Sequence, residues 1–267
     1  MQSDTESPTA ADKELWAGRI ISGLVIAFML FDTVIHLMKI TPVVQAFQQL
    51  GWPISLAFVL GIIELLCVVF YLYPRTSIVG AILLTGYLGG AVVTQLRVGN
   101  PLFGEALFPV YVGILAWGGL YLREPGLRAL IPIVKTRSTA ENAGDSRKKL
   151  WTGRVVSAIV ALMILFASSV KLVKAPAVVE GFAKQGFPEH LVIVVGIIEL
   201  LCAVIYLVPR TAVLGAILMT GLMGGATATN VRVGDPSLIV TLLLGILAWA
   251  GLFLRNERLR KLMPLRS

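Results

Sequence analysis

Charge is scarce in this chain. Only 14% of its 267 residues are Asp, Glu, Lys or Arg, against about one quarter in soluble domains. Cysteine is nearly absent too: Cys67 and Cys202 are too few for a disulfide framework and form no C-x-x-C pair. Both read as buried free thiols behaving as small apolar groups. No nucleophile-elbow serine, phosphate loop, metal-ligand spacing or dinucleotide fingerprint occurs, so the expectation is no metal and no self-contained enzyme.

What the chain has in abundance is oil, with 57% hydrophobic residues. A span needs about 20 apolar residues to cross the hydrocarbon layer. Eight runs qualify, at 16–38, 54–73, 77–97, 103–122, 151–174, 189–208, 212–232 and 237–254. The first follows "MQSDTESPTAADKE" and lacks the basic start and small-residue cleavage site of a secretory signal, so it is kept as a span. With four spans on each side of a central linker, both termini and the linker share one face. Seventeen of the 23 lysines and arginines then fall on that face. The positive-inside rule makes it cytoplasmic, in a bacterial-type inner membrane. These basic stretches read as topology signals beside anionic lipid, not as a nucleic-acid surface.

An offset of 135 aligns the two halves. "GIIELLCVVFYLYPRT" meets "GIIELLCAVIYLVPRT", "GAILLTGYLGGAVVTQLRVGNP" meets "GAILMTGLMGGATATNVRVGDP", and "GILAWGGLYLRE" meets "GILAWAGLFLRN". The expected architecture is all-α: an integral membrane protein of eight transmembrane helices, arranged as two parallel-repeat four-helix bundles about an axis along the membrane normal. The divisions are a polar tail at 1–15, a first unit at 16–132, a cytoplasmic linker at 133–149 and a second unit at 150–267. The linker is polar and aperiodic, the composition of a flexible tether.

These segments resemble the DoxX-like family, whose copies carry a lysine late in the first span, "G-x-x-E-L-L-C…Y-L-x-P-R-T" in the second, and "G-A-I-L-L-T-G-Y-L-G-G-A" followed by "T-H-x-R-x-G" in the third. The resemblance implies a four-helix membrane unit associated with membrane redox systems, a quinone-linked thiosulfate oxidoreductase subunit among them. Quinone is therefore the candidate cofactor and a membrane redox protein the candidate partner, beside the lipid bilayer. Where the family has histidine in the third span, this chain has Gln95 and Asn230. No histidine relay or metal site carries over to that position. The family lysine is kept as Lys171, but the first half has His36, with Asp32 opposite Ala167.

Glu64 and Glu199 sit in the middle of their spans, where an ionised group costs about 2.5–3.5 kcal/mol on the lenient insertion scale. Each should therefore face the bundle and find a partner or a proton. Helical spacing puts Glu64, Cys67 and Tyr71 on one face, and Glu199, Cys202 and Tyr206 repeat it. Depth counting places Asp32 within about 5 Å of Glu64 along the normal, close enough for repulsion to leave one acid protonated. His36, one turn further out, would relay that proton. In the second half Lys171 is the natural counter-ion of Glu199, a pair with a structural character.

Tyr71 and Tyr206 are expected in the cytoplasmic aromatic belt, and Arg97 and Arg232 as anchors at the outer interface. Gly86 and Gly90, with Gly221 and Gly225, have the spacing for close helix contact in lipid, and that face leads toward the arginines. Three functions remain open: a redox-associated or quinone-binding subunit, a proton-coupled small-molecule transporter, and a non-catalytic scaffold.

Overall fold

The computed structural model describes residues 9–130 and 147–262. Eight helices within them are long and apolar enough to cross a membrane. In the first half these are α1 (Ala10–Met38), α3 (Ser55–Leu72), α4 (Ser77–Arg97) and α5 (Phe108–Arg123), with short α2 (Thr41–Gln49) and α6 (Pro125–Leu130) between or after them. The second half repeats the order as α7 (Arg147–Leu172), α8 (Pro176–Lys184), α9 (His190–Leu207), α10 (Ala212–Val233), α11 (Leu238–Arg255) and α12 (Glu257–Leu262).

Two boundaries differ from expectation. Helix α1 begins at Ala10 inside the supposed tail, because Thr9 and Asp12 form a reciprocal capping box that satisfies its first backbone N–H groups. Helix α7 begins at Arg147, taking the end of the supposed linker into the second unit. The tail residues 1–8 and linker residues 133–146 lie outside the described residues.

Within a half the four long helices form a ring in which α1 touches α3 and α5, and α4 closes the other side; α7, α9, α10 and α11 do the same. Side chains such as Met29, Val68, Leu84 and Leu120 fill the first ring, and Ile164, Ala203, Met219 and Leu252 the second. The outward surface is apolar, with Phe31, Ile114, Phe166 and Ile246 all exposed. In water such a surface would aggregate; in a bilayer it is solvated.

The halves join along α4 and α10. Without a hydrophobic driving force in lipid, close packing must supply the attraction, and small residues permit it. A Cβ on Gly89 would overlap the Gly221 carbonyl oxygen, and one on Gly224 would overlap that of Gly86. Because Gly221 and Gly224 are the counterparts of Gly86 and Gly89, the contact maps onto itself when the halves are exchanged. A Cβ on Gly90 would stand 2.9 Å from that of Ala228, and one on Gly225 3.3 Å from that of Val93, extending the same symmetry. The pseudo-two-fold axis runs through this parallel crossing, whose closest point is the three-residue Gly86/Gly89 step.

Candidate functional site

Helix α3 buries Ala57, Gly61, Glu64, Cys67, Val68 and Tyr71, the face its spacing predicts. Gly61 lets α1 come close: a Cβ there would stand 3.2 Å from that of His36. This approach brings His36 Nδ1 to 3.6 Å from Glu64 Oε2 and 3.5 Å from Asp32 Oδ2. Tyr87 on α4 donates its hydroxyl to Glu64 Oε2 at 3.1 Å. Burial is graded across the group, from Glu64 at 0% exposure through His36 at 17% to Asp32 at 30%. Phe47 of α2 lies edge-on to the His36 ring at 5.8 Å, so the short helix covers the imidazole.

Asp32, His36 and Glu64 each bring a ligand-type atom within 4.8 Å of the others, a set able to hold a cation that no motif spacing reveals. His36 Nδ1, however, lies 2.9 Å from the Asp32 backbone carbonyl oxygen. A carbonyl only accepts, so Nδ1 carries the hydrogen and its lone pair is not offered to an ion. The donor chemistry suits a shared proton better than a metal ligated through that nitrogen. Glu64 Oε1 and Thr33 Oγ1 are buried with no hydrogen-bond partner among the described residues. Unsatisfied buried polar atoms are costly, about 1–3 kcal/mol each.

The second half resolves the same positions differently. Lys171 Nζ lies 2.9 Å from Glu199 Oε2, with 15% and 8% exposure. Ser168, the counterpart of Thr33, donates to the Gly196 carbonyl at 2.8 Å. Leu222 stands where the first half has Tyr87, and Ala167 where it has Asp32. Here the acid is neutralised by a built-in ammonium; there it shares its space with a second acid and a histidine. Tyr87 and Thr33 escaped the sequence reading. The one available signal was divergence between the halves, "GYLGG" against "GLMGG".

The remaining expected residues scatter. Cys67 and Cys202 are buried free thiols. Tyr71 and Tyr206 are not belt residues: both are fully buried. Tyr71 donates to the Ala116 carbonyl at 2.7 Å and Tyr206 to that of Ala248 at 2.8 Å, while Ser22 and Ser157 complete each hydroxyl. Their place on the glutamate face, two turns along, turns them inward whatever their depth. Gln95 pairs with Asn100, and Asn230 accepts from Gln185 at 3.4 Å, at the end of the bundle opposite the termini, and neither has a hydrogen bond to the acids. Arg97 donates to the Leu50 carbonyl and Arg232 to that of Gln185, each closing the end of a short helix. Trp117 and Trp249 donate to Thr85 and Thr220 at 2.8 and 2.7 Å, as packing residues.

No curated protein and no solved structure matches this chain. The model of the DoxX-like family matches twice, over residues 20–119 and 155–251, once in each ring of helices. The chain therefore belongs to the DoxX-like family, as a tandem duplication of its four-helix unit in one multi-pass membrane protein.

Proposed function

We propose that the chain is a redox-associated membrane subunit whose first half binds a quinone-class lipophile and exchanges protons with its headgroup, while the second half is the structural counterpart. One observation carries this reading. At equivalent positions the second half sets the Lys171 ammonium 2.9 Å from Glu199, whose Oε2 has no hydrogen bond besides that ion pair, whereas the first half has no ammonium there and gathers Asp32, Thr33, His36, Glu64 and Tyr87, with Glu64 Oε1 and Thr33 Oγ1 unpartnered among the described residues. A headgroup with two oxygens would meet donors in Thr33 and Tyr87 and acceptors in Glu64 and Asp32. The half-exposed Asp32 is flanked on α1 by outward-facing Phe28 and Phe31, the setting for entry from the lipid side. A quinol that passes two electrons to a redox partner also releases two protons, and an acid pair that already shares one proton can take them up one at a time, passing each outward through His36 before the next arrives. Under the positive-inside rule both termini face the cytoplasm of a bacterial-type inner membrane, which puts this cluster in the outer leaflet.

The interlocked glycine seam weighs against a carrier that rocks one half on the other, since any sliding would drive backbone into backbone. Mass spectrometry of small molecules retained through purification in mild detergent tests the reading. A quinone-class species should accompany the wild type and fall at least several-fold in Glu64→Gln. Equal retention by both proteins, or none by either, would overturn it.

A further inference from the structure

At the distal end of the α4–α10 crossing, two cations converge with no acid paired to either among the described residues. Arg97 and Arg232 are equivalent residues on either side of the pseudo-two-fold axis. The Arg97 guanidinium reaches across the seam: a Cβ on Gly186 of the second half would stand 3.6 Å from its Nη1, and one on Gly51 of its own half 3.4 Å from its Nη2. Both glycines adopt left-handed backbone, with φ of 61° at Gly51 and 79° at Gly186, in the turns after α2 and α8. Gln185, next to Gly186, accepts from Arg232, so the two guanidinium groups meet at one turn. Arg232 is near enough to act electrostatically on Arg97.

Like charges held together need a reason. The helix-end carbonyls offset part of each, but a guanidinium has five N–H donors and each of these uses one on such a carbonyl. Arg97 Nε is buried with no partner among the described residues. Glu105, Glu180, Glu189 and Asp235 are carried by the same end, yet among the described residues no carboxylate lies within 4.0 Å of either arginine. Glu189 instead pairs with Lys174 at 2.8 Å, and Asp235 accepts from the Ser237 backbone N–H at 2.8 Å.

We infer that Arg97 and Arg232 form a clamp for one phosphate group at the distal mouth of the seam. Two forked donors on either side of an axis match the several acceptor oxygens of a phosphate, and arginine is the side chain best suited to that geometry. The phosphate can come from the headgroup of an anionic phospholipid or from free phosphate. A bound headgroup would bridge the two halves where the glycine seam ends.

Native mass spectrometry of the full chain in mild detergent, titrated separately with phosphatidylglycerol and phosphatidylcholine, reads the lipid source. Inorganic phosphate against chloride at matched ionic strength, read as a melting-temperature shift, reads the free one. The expected result is one site per chain preferring phosphatidylglycerol, or one stabilised by phosphate. Arg97→Gln and Arg232→Gln should each weaken it roughly tenfold or more, whereas Arg75→Gln/Arg210→Gln, at the other end, should not. If the glutamine variants fail to fold, Arg97→Lys/Arg232→Lys keeps the charge and removes the fork, and must weaken binding as well. Equal retention of the two lipids together with no phosphate-specific shift overturns the inference, as does binding unchanged in the arginine variants.

Discussion

Lys171 and His36 occupy equivalent positions, and the difference between an ammonium on a long stem and a short imidazole sets the character of each half. Removing Lys171 strands Glu199 in a nearly closed environment. Lys171→Met should destabilise the protein by about 3 kcal/mol, the low end for breaking a buried pair because the lysine keeps 15% exposure. The double variant Lys171→Met/Glu199→Leu should recover most of that loss, since an apolar pair carries no desolvation penalty. Thermal unfolding of the three proteins in detergent checks both statements. Tyr206→Phe removes two hydrogen bonds and leaves the Ala248 carbonyl without its side-chain donor. Polar contacts of this kind in membranes are worth about 0.6–2 kcal/mol, so a modest fall in melting temperature should follow, with no change in any retained small molecule.

Among the helices, α4 and α10 carry the tightest constraint. Gly89→Val would drive a branched Cβ into the Gly221 carbonyl oxygen. Overpacking of this sort costs about 1–3 kcal/mol or more, and a broadened or lost monodisperse peak in size-exclusion chromatography is the expected outcome. Helices α1 and α7 allow the opposite experiment. Asp32→Ala/His36→Lys would rebuild the second half's ion pair in the first, with an ammonium in place of the imidazole facing Glu64. It should leave the melting temperature unchanged or raised and abolish retention of the quinone-class species. A stable variant that still retains the ligand would show that the acid and histidine of α1 take no part. The short helices α2 and α8 differ as well: α2 buries Val43 and Phe47 beneath the bundle, while α8 buries none of its described residues.

For the molecule as a whole, orientation is testable from outside the cell. Asn100→Cys should react with a membrane-impermeant maleimide in intact cells and Arg75→Cys should not, because the two positions lie at opposite ends of α4. The eight spans, the duplication and the inward glutamates were legible in one dimension. Hydrocarbon imposes its length and polarity on every crossing segment separately, and a repeated motif needs no packing to be seen. The helix start at Ala10 was legible in principle, through its capping box. Tyr87, Thr33 and the exchange symmetry of the glycine contacts were not, and Tyr71 is buried instead of lying in the belt, as its shared face with Glu64 implied and its depth alone concealed. Which polar atoms finally meet depends on how far each helix is rotated and slid against its neighbours. The lysine facing Glu199 and the acid and histidine beside Glu64 were readable from residue type and depth, but that the hydroxyls of Tyr87 and Thr33 lie in that half's buried group was decided only by close packing of glycine against backbone and by the rotation it imposes.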